Sequence, residues 1–381
     1  MSLEILPLPA GGSGSVNTTN NTVIVSTGTS EVITGLNNSA VGVDVLANLT
    51  TGSKNIAIGT NALKQLVSGD SNIAIGQDAL TSIVNCYDNL AIGVYGLASL
   101  TVGTQTTSVG HYALRDLQDG DHNTVLGNDS MRTIVYGYEN AAVGYRALHD
   151  LEMGSGNAVV GCYAADNLVS GSYNAVMGYC ALNDNTNGWY NVAIGVDAQR
   201  SNDVSTVVAI GMQALQYNTA NEAVGIGRRT LRYNSGHNNT AVGNYALNDN
   251  EEAVYNTAVG SYTGRDLTTG SNNTFLGSHA GNNITTGNNN IIVGTDAVTT
   301  GENTNMSNTV VLSCGGLGPF EPDSTHRLVV NTDATHGFNM DLAPTAATGA
   351  ASIPTEYLAV KVWVGSALVT RYIALHTDTG A

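Results

Sequence analysis

The residues of this chain that could carry out chemistry are its acids, histidines and cysteines, and their spacing does not favour catalysis. Cleavage of a glycan needs two carboxylates about 5 to 10 Å apart in a cleft. Turn propensity alone explains the recurring acids, because they stand two residues after a glycine. These acids are Asp44, Asp78, Asp129, Asp197 and Asp296. The 8 histidines show neither HxH nor HExxH spacing. We therefore predict no catalytic residue and a protein that is not an enzyme.

Metal and cofactor sites are not indicated either. The four cysteines form no CxxC pair and no zinc spacing, so we predict free thiols. The GGxGxD nonapeptide of calcium-binding rolls is missing from the sequence. We expect no metal and no cofactor.

Tyrosines are the side chains that could contact a ligand. Of the 17, Tyr173, Tyr190 and Tyr255 stand directly before a recurring asparagine. Phenol rings stacked along a surface can bind sugar rings by apolar contact and hydrogen bonding. Alternatively, tyrosines at turns cover the edges of neighbouring coils. The three are our candidates for receptor contact.

A strict repeat must position all of these residues. Sixteen glycines recur at nine intervals of 17 residues, then three of 16, then three of 17 again. They are Gly42, Gly59, Gly76, Gly93, Gly110, Gly127, Gly144, Gly161, Gly178, Gly195, Gly211, Gly227, Gly243, Gly260, Gly277 and Gly294. An aliphatic residue precedes each glycine, and an asparagine such as Asn55, Asn72 or Asn191 stands four residues before it in 13 copies. We call these the repeat glycines and the motif asparagines.

The repeat length predicts the fold class. Seventeen residues hold two strands of about five residues with two tight turns, but not a βαβ unit. The chain is predicted to be all-β, a parallel β-roll or β-helix solenoid of 16 to 18 coils. With about 4.8 Å per coil, the rod would be roughly 70 Å long.

The first strand of each repeat predicts an oligomer. In NIAIG, Ile56 and Ile58 share one face, and Ala57 and Gly59 share the other. Such a strand needs cover on both faces. One face fills the roll, and another copy of the chain is the simplest cover for the other. A monomeric solenoid with an exposed apolar strip is the alternative.

A second ladder lies seven residues after each glycine. It is leucine or isoleucine from Leu49 to Leu168, then asparagine, then apolar again at Leu267 and Ile284. A run of asparagines at one coil position predicts an amide ladder and a changed cross-section over residues 180 to 255. These asparagines are Asn185, Asn202, Asn218, Asn234 and Asn250.

Three segments are predicted. Residues 1–20 are an extended N-terminal attachment arm, 21–312 the repetitive shaft, and 313–381 a linker and a small C-terminal β cap. Val25 takes the glycine position of a first degenerate coil, and Asn308 begins a last coil one residue late. In the cap, 327–332 forms a strand, and 357–364 pairs with 367–375 as a hairpin.

Charge and hydropathy limit the partners. The net charge of −17 disfavours nucleic acid. The N-terminus lacks a secretion signal, and no stretch of about 18 apolar residues exists to span a membrane, so we predict synthesis in a cytoplasm and no membrane insertion.

Units such as NIAIGTNAL, NAAVGYRAL and NTAVGNYAL, across residues 38 to 298, resemble repeats of phage tail-fibre proteins. More distantly, they resemble the left-handed β-roll heads of trimeric autotransporter adhesins. The first resemblance implies a homotrimeric, adhesive virion fibre made in a host cytoplasm. It implies attachment to tail or baseplate proteins through one terminus and contact with a host surface glycan or protein. The alternatives are a capsid decoration fibre, a bacterial surface adhesin and a depolymerising tailspike.

Overall fold

The computed structural model describes residues 34–200, 203–297, 305 and 307–312, and the backbone of strands at 14–17, 23–27, 357–364 and 367–374. These residues contain strands, turns and loops but no helix. The strands up to residue 312 belong to one compact unit, and the last two strands belong to another. The first unit is an all-β parallel solenoid, as the repeat predicts, and it has one short strand per coil.

The strands of the solenoid follow one another in chain order. They are β1 Gly14–Asn17, β2 Val23–Thr27, β3 Ser39–Val43, β4 Ile56–Ile58, β5 Ile73–Ile75, β6 Leu90–Ile92, β7 Thr107–Val109, β8 Thr124–Leu126, β9 Ala141–Val143, β10 Ala158–Val160, β11 Ala175–Met177, β12 Val192–Ile194, β13 Val208–Ile210, β14 Val224–Ile226, β15 Thr240–Val242, β16 Thr257–Val259, β17 Thr274–Leu276, β18 Ile291–Val293 and β19 Val310–Leu312. From β2 to β19, each strand pairs in parallel with the next, and β1 pairs antiparallel with β2.

The strand register reproduces the glycine period. Ile56 lies opposite Ile73, one full period further along the chain, whereas Val192 lies opposite Val208, one residue short of a full period. The predicted frames of the two end coils were each wrong by one residue. Ser26, and not Val25, lies opposite Gly42. Ile291 lies opposite Val310, so the last interval is longer than the regular period by two residues.

Each regular coil has a shorter strand than the sequence predicted. Its strand is three residues long, and no second strand of five occurs in the described coils. The opposite side consists of turns, because three residues per coil adopt the left-handed conformation. In one coil these are Lys54 at φ 61°, Asn61 at φ 60° and Leu63 at φ 53°. Only isolated bridges such as Val102 with Asp119 extend the pairing there.

The repeat glycines are fixed by the close stacking of the coils. Gly59 has φ +127°, and a Cβ on it would lie 2.5 Å from the carbonyl oxygen of Gly76. No side chain fits at such a distance, and L-residues rarely adopt this conformation. The same positive φ and the same clash recur at the other predicted structural glycines, Gly76, Gly93, Gly144, Gly195, Gly243 and Gly260.

The interior is thin and filled mainly by small and branched side chains. Ala57 in the strand and Leu63 and Leu66 in the turn are fully buried, and their equivalents continue along the rod. One coil departs from this filling, because Phe275 replaces the strand alanine. A Cβ on Gly264 or Gly281 would approach the Phe275 ring to 2.7 or 2.8 Å, so two glycines in the leucine position make room for it.

The second unit contributes a hairpin. Strands β20, Tyr357–Val364, and β21, Ala367–Ala374, pair antiparallel with Val364 opposite Ala367. The predicted hairpin is confirmed. The predicted strand at 327–332 and most of the attachment arm lie outside the described residues.

Candidate binding surfaces

The motif asparagines form a structural ladder inside the rod. Asn55 Nδ2 donates to Asn38 Oδ1 at 3.1 Å and to the Gly69 carbonyl at 2.8 Å. The Asn55 backbone N–H also donates to Asn38 Oδ1, at 2.9 Å. Asn72 repeats these bonds with Asn55 as the acceptor. Because each buried amide has partners in its own and the neighbouring coil, these residues hold the stack and do not bind a ligand.

Asn191 is the last motif asparagine before valine and alanine interrupt the ladder at Val207 and Ala223. Its backbone N–H donates to Asn174 Oδ1 at 3.0 Å, and its Nδ2 donates to the Val204 carbonyl at 2.9 Å. Where threonine replaces the motif asparagine, the Thr106 N–H donates to Asn89 Oδ1 at 3.1 Å. The Val207 N–H makes the same bond to Asn191 Oδ1 at 3.1 Å, so this backbone bond does not depend on the side chain of the donating residue.

The second asparagine ladder is only partly formed. Asn234 Nδ2 donates to Asn218 Oδ1 at 2.7 Å, and Asn250 Nδ2 donates to Asn234 Oδ1 at 2.5 Å. Asn185 instead donates to the Val204 carbonyl at 3.0 Å, and Asn202 lies outside the described residues. The amide ladder is thus confirmed for Asn218, Asn234 and Asn250, and it is wrong for Asn185.

The strands present an aliphatic face to the outside. In β4, Ala57 is buried, while Ile56 and Ile58 are 37% and 43% exposed. Met177 is 54% exposed at the position of Ile58. We call the residues one and three positions before the repeat glycines, from 39 to 293, the outer strip. The residue one before the glycine is aliphatic or methionine in every coil, whereas the residue three before it is also serine or threonine in six coils, Ser39, Thr107, Thr124, Thr240, Thr257 and Thr274.

The predicted receptor-contact tyrosines are exposed, but only two of them meet. Tyr173, Tyr190 and Tyr255 are 55%, 58% and 60% exposed, and each adopts the left-handed conformation. Tyr173 and Tyr190 stack with ring centroids 5.2 Å apart. Tyr255 lies several coils away and stacks on no ring among the described residues. The structure therefore supports a tyrosine pair and not a three-residue site.

Further aromatic ladders run along the turns. Tyr95 stacks on Tyr112 at 5.5 Å, and Tyr262 stacks between Tyr245 and His279 at 5.0 and 5.2 Å. Since equivalent residues of successive coils stack, many of these rings cover neighbouring coils, which was the alternative reading of the tyrosines.

This surface also carries a cluster of arginines that the repeat pattern did not indicate. Arg228, Arg229 and Arg232 lie within five residues, although the chain as a whole is acidic. Arg228 and Arg229 lie over the Tyr245 ring, with Cζ 5.3 and 5.5 Å from its centroid. Arg232 lies 5.4 Å from the centroid of Tyr217 and 5.0 Å from that of Tyr233. We call this set of three arginines and three tyrosines the arginine–tyrosine patch.

The groups with catalytic potential do not converge. The recurring aspartates occupy left-handed turn positions, such as Asp44 at φ 53° and Asp129 at φ 55°. Burial raises the pKa of the Cys86 thiol, which favours its protonated and unreactive form. In the described part of the chain, no three histidine, cysteine or acidic side chains come together as metal ligands do. The described residues contain no helix, and so none that is long and apolar enough to cross a membrane.

These features define the class of protein as a parallel β-solenoid built from tandem repeats. Comparison of the chain with family models, curated proteins and solved structures finds no match. The function is therefore inferred from the fold, the outer strip and the arginine–tyrosine patch.

Proposed function

We propose that this protein is the shaft of a homotrimeric, adhesive virion fibre, a tail fibre, that contacts the host surface without catalysing a reaction. One terminus would attach to other virion proteins of the tail or baseplate. The outer strip is the observation that carries this proposal. A rigid rod with a lengthwise apolar strip is suited to bundling with copies of itself.

The size of the outer strip supports self-association. At about 4.8 Å per coil, the strip is roughly 70 Å long, and with a width of about 10 Å it covers on the order of 700 Å². The largest apolar patch on a monomeric protein is about 300 to 600 Å². A stable interface buries about 800 Å² per partner. The strip is therefore close to the area that a stable contact needs.

The geometry of the strip also suits parallel copies of one chain. The coils repeat at a fixed spacing, so a second rod in register meets the same side chains at every level. A strand that is apolar outside as well as inside is typical of buried parallel sheets. Three copies arranged around an axis would cover all of their outer strips together.

The mass of the native particle tests the trimer. Light scattering on the purified chain is expected to give three times the 39.3 kDa of one chain. The double variant Ile58→Asp and Val160→Asp places charge in the strip and is expected to give monomers. Gln65 is exposed and lies about half a coil away from the strip in sequence. The variant Gln65→Asp is therefore expected to remain trimeric. A wild-type mass near that of one chain would refute the proposal.

The place of the protein on a particle is a separate question. Electron microscopy of virions labelled with an antibody against the chain is expected to show label on fibres at the tail. Label on the capsid would favour the decoration fibre, and virions without any label would contradict a virion role.

A further inference from the structure

We propose that the arginine–tyrosine patch binds an acidic polysaccharide through the carboxylates on its sugar rings. This inference rests on the proposed function as a surface-contacting fibre, and it names the ligand class and the residues. The patch is at residues 217 to 245, where the solenoid has its shortened coils. It is distinct from the receptor-contact candidates predicted from the sequence, Tyr173, Tyr190 and Tyr255.

The patch carries positive charge that no described acid neutralises. Five arginines outside the patch, at 115, 132, 146, 200 and 265, each form an ion pair with an aspartate. Among the described residues, Arg228, Arg229 and Arg232 form none. In a chain with a net charge of −17, three uncompensated cations within five residues are unusual. Charge of this kind is suited to recruit an anion from outside.

Equivalent positions in other coils carry an acid and a base. Arg229 and Arg232 stand two and five residues after Gly227. In two other coils the same positions hold aspartate and arginine, which pair as Asp129 with Arg132 at 3.1 Å and Asp197 with Arg200 at 3.4 Å. These two positions are therefore neighbours on one face of a coil. In the patch, both of them carry a positive charge.

Hydrogen bonds fix the orientation of two of the guanidinium groups. Arg229 Nε donates to Gln213 Oε1 at 2.7 Å, and its Nη1 donates to the Tyr245 hydroxyl at 2.9 Å. Arg232 Nε donates to Gln216 Oε1 at 2.9 Å. Neutral glutamines thus orient the cations without neutralising them. A guanidinium has five N–H donors, so each group keeps donors for an incoming carboxylate, which it can bind in bidentate fashion.

The tyrosines specify a carboxylate that is carried on a sugar ring. Tyr217 and Tyr233 stack with centroids 5.4 Å apart and remain 44% and 42% exposed. Exposed phenol rings offer an apolar surface for the faces of pyranose rings and hydroxyl groups for their oxygens. A bare phosphate would use the guanidinium groups alone. The combination therefore favours a uronic-acid type of polymer over a phosphate polymer.

The experiment measures binding of polygalacturonate fragments to the full-length chain by calorimetry. The wild type is expected to bind in a salt-dependent manner, and the double variant Arg229→Gln and Arg232→Gln is expected to lose at least about tenfold in affinity. Arg265→Gln removes an arginine that is already paired with Asp266 and lies over Tyr262. It is the matched control and should bind within about twofold of wild type.

Two further probes test the ligand class. The methyl ester of the same polymer keeps the sugar rings and loses the charge, so its binding is expected to be lost. Polyphosphate keeps the charge without the rings and is expected to bind more weakly than polygalacturonate. Circular dichroism of each variant checks that the coils remain folded.

The inference is overturned if the wild type does not bind polygalacturonate or if the folded double variant binds it as tightly as the wild type. It is also overturned if the wild type binds polyphosphate more tightly than polygalacturonate. Particle mass and virion labelling separate this failure from failure of the proposed function. A trimeric virion fibre that does not bind the acidic polymer keeps its function and loses only this ligand.

Discussion

Two stretches of the solenoid share one backbone but differ in what fills it. From Gly42 to Gly161 the period is 17 residues, and the position seven after each glycine is leucine or isoleucine. From Gly178 to Gly243 that position is asparagine, and three coils are shorter by one residue. The strand register continues through both. The glycines and the strands therefore set the stack, whereas the filling of the interior varies independently.

The polar stretch is less well satisfied than the apolar one. Within the described residues, Asn185 Oδ1, Asn250 Oδ1 and both amide atoms of Gln199 are buried without a hydrogen-bond partner. The motif ladder of the apolar stretch, as far as the structure describes it, shows no such atom. A buried amide without partners costs about 1 to 3 kcal/mol. We conclude that the polar filling has a cost in stability that the apolar filling avoids.

The largest expected loss of stability comes from substitution of the repeat glycines, and it should be the same in both stretches. At Gly93 and Gly211 a Cβ would lie 2.2 and 2.6 Å from the carbonyl oxygen of the next coil, at φ +140° and +128°. Gly93→Ala and Gly211→Ala are each expected to destabilise the rod by about 3 kcal/mol or more. Urea unfolding followed by circular dichroism measures the loss.

Gly96→Ala is the matched control for the glycine variants. The nearest atom to a Cβ on Gly96 is 3.5 Å away, and most other coils carry alanine at this position. We expect no loss of stability. If Gly93→Ala unfolds like Gly96→Ala, the close-stacking argument is wrong.

The two asparagine ladders should respond unequally to truncation. Asn140 Oδ1 accepts from the Asn157 N–H at 3.1 Å and from Asn157 Nδ2 at 3.0 Å, and its own Nδ2 donates to the Gly154 carbonyl at 2.8 Å. Asn140→Ala is expected to cost about 2 to 4 kcal/mol, and Asn250→Ala only about 1 kcal/mol, because one Asn250 atom is already unpaired. Thermal unfolding compares the two variants.

Asn140→Thr is the control for this prediction. Threonine already fills the motif position at Thr106, where its hydroxyl donates to the Gly120 carbonyl at 3.3 Å, as the asparagine Nδ2 does in other coils. Asn140→Thr should therefore retain part of the stability that Asn140→Ala loses. Equal losses in Asn140→Ala and Asn250→Ala would show that the two ladders are energetically alike.

Exchange of leucine and glutamine at one interior position of the polar stretch should change stability in opposite directions. Gln199 occupies the position of Leu182 and Leu215, with the same left-handed backbone. Gln199→Leu is expected to stabilise the rod by about 1 to 2 kcal/mol, since it removes two unpaired polar atoms. Leu215→Gln is expected to destabilise it by about 2 to 3 kcal/mol. Denaturant midpoints would show the two shifts, and a destabilised Gln199→Leu would contradict the argument.

The smallest effect is expected at the surface, where the stretches are alike. Asp129 and Asp197 each pair with the arginine three residues on, at partly exposed sites. Asp129→Asn and Asp197→Asn are each expected to cost about 0.5 kcal/mol or less. The loss should vanish at a salt concentration of about 1 M, because screening removes exposed ion pairs. A salt-independent loss in either variant would point to a different cause.

The sequence predicted the parts of the fold that repeat. Sixteen equivalent glycines leave little freedom in the register, and the hairpin of β20 and β21 followed from its alternating pattern. The ends of the repeat were harder to predict, because Val25 and Asn308 each had only one neighbouring coil for comparison. The strand length was overestimated, since left-handed turns at residues such as Leu63 are not visible in a pattern of apolar residues.

The candidate site was only partly predictable. Tyr173 and Tyr190 share a position one period apart, so their stacking follows from the repeat. Charge was considered over the whole chain, which concealed the short run from Arg228 to Arg232. That run was a readable signal, but the lack of aspartate partners around it depends on contacts between coils.

Each coil contacts only the coils before and after it, so the length of the rod is an adjustable quantity. Deletion of residues 60–76 would join Gly59 to Gln77 and leave every remaining residue with neighbours of its own kind. The molecule would become shorter by one step of about 4.8 Å. Gain or loss of whole periods thus offers evolution and protein engineers a molecular ruler whose reach changes without redesign of its cross-section.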